Sequence, residues 1–75
     1  METLGEYLEG LRKGAEYAQS MVDKCFGVKS TTAIDSDGVH FIITRYKVRR
    51  PTPNHPNYAQ SVYRAHPVTL PDHLA

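Results

Sequence analysis

The apolar residues in the first third of the chain recur at alternating steps of four and three positions. This spacing places them on one side of an α-helix with a heptad period. Thr3, with Glu6 three residues on, resembles an N-terminal capping box, and Gly27 fits a C-terminal cap. The pattern predicts a helix from about residue 3 to residue 26. The apolar stripe comprises Leu4, Leu8, Leu11, Ala15, Ala18, Val22 and Cys25.

The expected length of this helix raises a packing question. A helix over residues 3–26 would span about 35 Å, whereas a compact domain of this size is about 30 Å across. We therefore expect part of the helix to overhang its own domain or to lie against another chain. At 75 residues, a single core supplies only a few kcal/mol of stability, so association with a partner is also expected on energetic grounds.

Two β-prone runs follow, one on each side of Asp37-Gly38, a dipeptide typical of tight hairpin turns. They predict a β-hairpin over about residues 31–49. We expect the two strands to form the apolar face that covers the helix. With a two-residue turn, the pairs on this face would be Ser36 with Val39, Ile34 with Phe41 and Thr32 with Ile43.

The alternation of apolar and polar residues changes in the second of these strands. Arg45, Lys47 and Arg49 continue the side that Phe41 begins. Either a β-bulge near Thr44 moves the cations to the other side, or the strand runs on with its basic side uncovered. We favour the bulge.

The C-terminal half is divided by proline. Residues 50–57 contain three prolines and predict an irregular loop. Residues 58–66 suit a short helix or a strand, and a third strand is favoured because it could pair with the second strand across the loop. Residues 67–75 are too rich in proline for regular structure. We therefore predict one α+β domain, with a long N-terminal helix packed on a three-stranded antiparallel sheet.

Two glycines, Gly10 and Gly14, interrupt the helical segment, although each costs roughly 1 kcal/mol relative to alanine. With Ala18 they form a strip of small residues that a second helix could approach closely. A homodimer contact, packing on the chain's own sheet and simple tolerance all stay open, and we favour the homodimer. The predicted dimer contact comprises Tyr7, Gly10, Gly14, Ala18 and Met21.

The net charge of +1 conceals an asymmetry along the chain. Residues 1–26 hold five acidic and three basic side chains, a net of −2, and residues 27–75 hold six basic and three acidic ones, a net of +3. The stretch from Arg45 to Arg64 contains five basic residues and no acidic one. The predicted partner-binding patch comprises Arg45, Tyr46, Lys47, Arg49, Arg50, Tyr63 and Arg64.

This patch has three interpretations. Arginine and tyrosine are frequent at protein-binding hot spots, which favours a protein partner. A basic β-ribbon with aromatic rings also suits phosphates and bases, although a net charge of +1 is low for a dedicated nucleic-acid binder. The patch could also be a solvated strand edge, or could pair with the glutamates of the helix. We take a protein partner as the leading hypothesis and nucleic acid as the alternative.

Residues that could carry metal binding or catalysis do not form a recognisable motif. The four histidines, His40, His55, His66 and His73, are separated by 15, 11 and 7 positions, which match no metal-ligand spacing. Asp35 and Asp37 suit a turn for backbone reasons. Pairing Ser61 or Cys25 with a histidine provides no third orienting group. We therefore expect no enzyme activity, no metal and no cofactor.

The cysteine content, the apolar runs and the charge of the N-terminal segment indicate where the protein is located. The single cysteine, Cys25, cannot form an intrachain disulfide and favours a reducing compartment. The longest apolar run, residues 41–43, is far too short to span a membrane, and the N-terminal segment is acidic, unlike a signal peptide. We therefore expect a cytoplasmic binding protein, such as an inhibitor or adaptor encoded by a phage or another mobile element.

Overall fold

A computed structural model describes residues 2–75. Its strands form one antiparallel sheet in the order β1-β2-β3, and helix α1 packs on one face of that sheet, against β1 and β2. The predicted fold class is confirmed. The elements are α1 (Leu4–Ser20), β1 (Cys25–Ile34), β2 (His40–Arg49), β3 (Ala59–Pro67) and a 3₁₀ turn (Asp72–Leu74).

Helix α1 begins where the sequence indicates but ends earlier. Thr3 is the N-cap, and its side-chain oxygen accepts a hydrogen bond of 3.1 Å from the Glu6 N–H. The helix stops at Ser20 rather than near residue 26, because Lys24 has a left-handed backbone (φ 68°) and Cys25 already pairs with β2. Its 17 residues span only about 25 Å, so the expected overhang disappears.

The prediction that Gly27 caps the helix is wrong, because Gly27 lies inside β1. The register of β1 against β2 shifts between Phe26 and Lys29, so Gly27 and Val28 together lie opposite Tyr46. Gly27 has φ +63°, a left-handed conformation that glycine adopts without steric cost. The sheet therefore contains a β-bulge, and its extra residue lies in β1.

A bulge near Thr44 was also predicted, and this too is wrong. β2 pairs with β3 residue by residue, from Phe41 opposite Pro67 to Arg49 opposite Ala59. The alternation of β2 therefore runs unbroken, and the cations stay on the side that Phe41 begins. The cations are uncovered, but not because the strand runs past the helix. Ile42 and Thr44, rather than Phe41 and Ile43, lie beneath α1, so the prediction that the face of Phe41 and Ile43 covers the helix is wrong.

The β1–β2 connection is one residue longer than the predicted two-residue turn. The Asp35 N–H donates to the Val39 carbonyl (3.0 Å), which leaves three loop residues, and Gly38 has φ +79°. The Asp35 carboxylate also accepts the N–H groups of Asp37 and Val39, each at 2.9 Å. The longer loop shifts the register by one residue. Ile34 therefore faces His40 rather than Phe41, Thr32 faces Ile42 rather than Ile43, and Val39 faces Asp35 rather than Ser36.

The tail returns to the helix side of the domain. Its only regular element among the described residues is the 3₁₀ turn, where an irregular course was expected. The Val68 N–H donates to the His40 carbonyl at 2.8 Å, and the Tyr7 hydroxyl donates to the Thr69 carbonyl at 3.4 Å. These bonds hold the tail beside the N-terminal half of α1.

The contact between α1 and the sheet is small and largely polar. Ile42, at 4 % exposure, is the fully buried apolar residue of the described chain. The other buried residues are Gln19, Ser30 and Thr44. The molecule measures 53 × 26 × 13 Å, and its radius of gyration is 15.4 Å, whereas about 11 Å is typical of a compact chain of this length. The fold is therefore flat, with much of its surface uncovered.

Candidate binding site on the open sheet face

The two faces of the sheet have different surroundings. Ile42 and Thr44 of β2 lie beneath α1, so their neighbours in the strand point to the opposite side. Within residues 2–75, no element packs on that side, which we call the open sheet face. Its β2 residues are Phe41, Ile43, Arg45, Lys47 and Arg49.

Cationic and aromatic side chains occupy neighbouring positions on this face. Lys29 of β1, Arg45 of β2 and Tyr63 of β3 lie directly opposite one another. Side chains opposite each other on antiparallel strands are about 5 Å apart at Cβ, so the three form a row across the sheet. In the next row, Lys47 lies opposite Ser61. Tyr63 is 70 % exposed, which leaves its ring available for contact.

Phe26 and Arg49 contact each other at the end of the open sheet face that lies near the bulge in β1. The guanidinium carbon of Arg49 lies 4.5 Å from the centre of the Phe26 ring, a cation–π distance. Stacking limits the conformations of the Arg49 side chain before any partner arrives. The bulge in β1 places Phe26 opposite Lys47, close enough to Arg49 for this contact.

A hollow of about 710 Å³ lies among these side chains. Gly27, at the bulge, contributes no side chain, and a Cβ built there would meet no atom within 4 Å. The bulge therefore deepens the face beside the basic row. The hollow is lined by Gly27, Ile43, Arg45, Lys47, Ser61 and Tyr63, and by Tyr46 and Val62, whose side chains alternate to the helix side of the sheet.

The sheet has a one-sided charge. Its three strands contain five basic residues and no aspartate or glutamate. The ion pairs found within residues 2–75 both belong to Arg12 on α1, with Glu9 and with Glu16. The cations of the open sheet face are therefore not neutralised by carboxylates of the described chain, and they create a positive potential over that face. The five basic strand residues are Lys29, Arg45, Lys47, Arg49 and Arg64.

The other half of the open sheet face is largely apolar. Phe41 lies between Ala33 and Pro67, and Ile43 lies between Thr31 and Ala65. The face thus divides into a basic and aromatic half near the bulge and an apolar half near the β1–β2 loop. A partner that covered both would meet an apolar anchor next to a cluster of cations.

The structure separates the predicted patch into three places. Arg45, Lys47, Arg49 and Tyr63 share the open sheet face. Tyr46 and Arg64 lie on the helix side, since each is one position away from those residues in its strand. Arg50 begins the proline loop, where its N–H donates to the Tyr58 carbonyl at 3.0 Å.

Sequence reasoning missed two members of the face, Lys29 and Phe26. Both lie in the first half of β1, which was assigned to the helix or to the connection after it. The β-prone character of residues 25–34 was the available signal, but the helical spacing of Val22 and Cys25 masked it.

The glycines of α1 point away from the sheet. A Cβ built at Gly10 or Gly14 meets no atom within 4 Å, so the interpretation that this strip packs on the chain's own sheet is wrong. Ala18 and Met21 are also exposed, whereas Tyr7 is half-buried. A homodimer contact and simple tolerance remain as explanations.

No three His, Cys, Asp or Glu side chains of residues 2–75 are grouped as metal ligands. Ser61 and His66 lie on opposite faces of β3, so they do not form a nucleophile–base pair. Cys25 accepts a hydrogen bond from the Gln19 side chain at 3.4 Å. No helix among the described residues has the length and apolar character needed to span a membrane.

Comparisons with models of protein families, with curated proteins and with solved structures gave no match to this chain.

Proposed function

We propose that this chain is a small, non-enzymatic binding protein that engages a macromolecular partner through the open sheet face. The observation that carries the proposal is the uncovered row of Lys29, Arg45 and Tyr63 in a sheet whose strands contain no acidic residue. An inhibitor or adaptor of the kind that phages and other mobile elements encode needs only such a surface, without a cofactor or an enclosed active site.

The composition of the face favours a protein partner. Arginine and tyrosine are over-represented among residues that dominate binding energies, because each combines a large contact area with hydrogen bonding. Phe41 and Ile43 add an apolar contact area beside the cations. A protein that presents an apolar side chain flanked by carboxylates would match both halves of the face. Backbone phosphates would use only the basic half.

The alternative is a single-stranded nucleic acid bound along the basic half. The specific observation in its favour is the exposed Tyr63 ring directly opposite Arg45, which would allow a base to stack while the cation meets a phosphate. Binding of this kind depends on counterion release, so its affinity would fall by orders of magnitude between about 50 and 200 mM salt.

We also propose that the protein is a cytoplasmic homodimer that associates through α1. The exposed, uncharged side of this helix supports the proposal, because exposed apolar helix surface is stabilised by contact with a second chain. The residues proposed at the contact are Tyr7, Gly10, Gly14, Ala18 and Met21.

Affinity capture with charge-matched variants tests the proposed binding face. The double variant Arg45→Ala/Lys47→Ala removes two cations from the open sheet face. Its control, Lys13→Ala/Lys24→Ala, removes two cations from α1 and the turn that follows it. We expect a protein captured by the wild type to be lost with the first variant and retained with the control. Equal capture by both variants would overturn the proposed face.

The same capture distinguishes the alternative. Eluates are compared at 50 and 200 mM salt, with and without nuclease, and their absorbance is read at 260 and 280 nm. A nucleic-acid ligand would give 260 nm absorbance that nuclease removes and that disappears at the higher salt concentration. A protein partner would survive nuclease treatment and would give no excess absorbance at 260 nm.

A further inference from the structure

The outer edge of β3 has backbone groups that no other strand pairs. The Arg50 N–H donates to the Tyr58 carbonyl at 3.0 Å, at one end of the β2–β3 ladder. The Val68 N–H donates to the His40 carbonyl at 2.8 Å, at the other end. Hydrogen-bonded pairs alternate along an antiparallel ladder, so the even-numbered residues of β3 bond to β2 and the odd-numbered ones face outward. Within residues 2–75, no strand or loop backbone pairs with the outward N–H groups, which belong to Ala59, Ser61, Tyr63 and Ala65.

The opposite edge of the sheet, formed by β1, is protected. The Ser30 N–H donates to the Glu16 carboxylate and the Ser30 carbonyl accepts from the Arg12 guanidinium, each at 3.3 Å. The bulge at Gly27 interrupts the same edge. Covering by a helix and interruption by a bulge both prevent an edge from pairing with a further strand. The chain thus blocks the β1 edge and leaves the β3 edge open.

β3 itself lacks these protective features. It pairs with β2 residue by residue over its nine residues, so no bulge interrupts its edge. It contains no lysine and no acidic residue, and its only proline, Pro67, is its last residue. An uninterrupted edge of this kind is the surface to which an extended peptide adds as a further strand.

The charge of the sheet indicates which segment fits this edge. Arg64 is exposed, and neither ion pair found within residues 2–75 includes it. An added strand would place a side chain about 5 Å from that of Arg64, where a carboxylate stabilises the pair and a cation destabilises it. A second copy of β3 would bring two sheets with five basic residues each together, whereas an acidic segment complements them.

We propose that the β3 edge receives an extended, acidic segment of the partner protein as a fourth strand, with a carboxylate beside Arg64. This inference rests on the proposed function and deepens it, since it adds a backbone contact to the side-chain contacts of the open sheet face. The added strand would continue that face beyond Tyr63, whose ring is 70 % exposed. Backbone pairing would give affinity, and the carboxylate would give specificity.

Amide hydrogen exchange of the wild-type chain, followed by NMR, tests the fourth strand. The probe is an acetylated peptide as long as β3, with alternating threonine and glutamate, and its control has lysine in place of glutamate. We expect the acidic peptide to slow exchange at Ser61, Tyr63 and Ala65. Exchange at Val62 and Arg64, which already bond to β2, should change little. The lysine peptide should bind about tenfold more weakly or less.

Three results would overturn the inference. The first is binding of the acidic peptide without slower exchange at Ser61, Tyr63 and Ala65. The second is equal binding of the two peptides, or binding of neither at millimolar concentration. The third is slow exchange of these amides without any peptide, increasing with protein concentration, which would assign the edge to a second copy of the chain.

A matched pair of variants carries the test to the captured partner. Ala65→Pro removes one outward N–H group and leaves the β2–β3 ladder intact, because that group does not bond to β2. Ala65→Val keeps the N–H group and places a side chain of similar size at the same position. We expect the protein captured by the wild type to be lost with Ala65→Pro and retained with Ala65→Val.

The captures also separate this inference from the proposed function. If capture depends on Arg45 and Lys47 but survives Ala65→Pro, the open sheet face stands and the fourth strand is overturned. Loss of capture with both Ala65 variants would assign the effect to the side chain and would overturn the fourth strand as well. If Ala65→Pro fails to fold, the exchange measurement on the wild-type chain decides.

Discussion

The Ser30 hydroxyl of β1 donates a 2.7 Å hydrogen bond to the Arg12 backbone carbonyl in the middle of α1. The Ser30 N–H and hydroxyl also reach the Glu16 carboxylate, at 3.3 and 3.2 Å, and Arg12 donates to the Ser30 carbonyl at 3.3 Å. Ser30 is only 2 % exposed. A small polar network therefore joins helix and sheet where larger domains use apolar packing.

Removing the Ser30 hydroxyl tests the contribution of this network to stability. Ser30→Ala removes the hydrogen bonds of the buried hydroxyl to the Arg12 carbonyl and the Glu16 carboxylate, whereas Glu16 keeps the Ser30 N–H and the Arg12 guanidinium as partners. We expect the free energy of unfolding to fall by about 1–2 kcal/mol. Urea denaturation measures it, with the exposed Ser61→Ala as control, for which a change within about 0.5 kcal/mol is expected. Equal effects of the two substitutions would show that the network contributes nothing.

The ion pair between Glu9 and Arg12 predicts a pH dependence. A hydrogen bond from the Arg12 side chain holds the pKa of Glu9 below its ordinary value of 4.5. A carboxyl group whose folded pKa is lowered stabilises the fold above pH 4.5, and that contribution is lost as the pH falls through the lowered pKa. Arg12→Met should raise the pKa of Glu9 towards 4.5 in an NMR titration, whereas Lys24→Met should leave it unchanged.

Replacing Gly38 and Gly14 by alanine should change the stability of the fold in opposite directions, although both positions have room for a methyl group. A Cβ at Gly38 or at Gly14 meets no atom within 4 Å, but only Gly38 has a positive φ, of +79°. Gly38→Ala should therefore destabilise the chain by roughly 1 kcal/mol. Gly14→Ala should stabilise the monomeric chain by up to about 1 kcal/mol through helix propensity. Thermal melts at a protein concentration at which the chain is monomeric measure both, and equal signs would contradict the assigned backbone geometries.

The same Gly14→Ala variant should weaken association if a second helix approaches the glycines closely. The melting temperature of the wild type should rise with protein concentration more steeply than that of the variant. Gly5→Ala, at the start of α1, is the matched control. If Gly14→Ala retained the full concentration dependence, the glycines would be merely tolerated.

The Arg49–Phe26 contact can be measured by a double-mutant cycle. Arg49→Met and Phe26→Leu each remove one partner and keep most of the side-chain volume. We expect a coupling energy of about 0.5–1 kcal/mol, typical of an exposed cation–π pair. A coupling energy near zero would mean that Arg49 is not held in place before binding.

The sequence allowed the helix, the hairpin and the third strand to be anticipated, because these depend on local periodicity and turn chemistry. The end of α1 could not be anticipated, because Val22 and Cys25 fit a helical stripe while the pairing of Cys25 with Val48 fits a strand. Only the energy of the whole sheet decides between them.

Which residues share the open sheet face depends on the register between the strands. Local sequence patterns determine that register poorly. A three-residue loop in place of two, and a bulge at Gly27 rather than near Thr44, decide which residues share a face. The sequence identified four residues of the face, because basic and aromatic residues can be recognised without knowledge of the strand register. They are Arg45, Lys47, Arg49 and Tyr63. Phe26 and Lys29 could not be added without the extent of β1.

The most direct test of the open sheet face is a lysine footprint of the wild-type protein. The chain has four lysines, of which Lys29 and Lys47 lie on the open sheet face, whereas Lys13 lies on α1 and Lys24 in the turn after it. Methylation rates are compared by mass spectrometry for the free protein and for the complex recovered by capture. The binding proposal predicts that Lys29 and Lys47 become protected while Lys13 and Lys24 react as before. Protection of Lys13 and Lys24, with Lys29 and Lys47 unchanged, would contradict it.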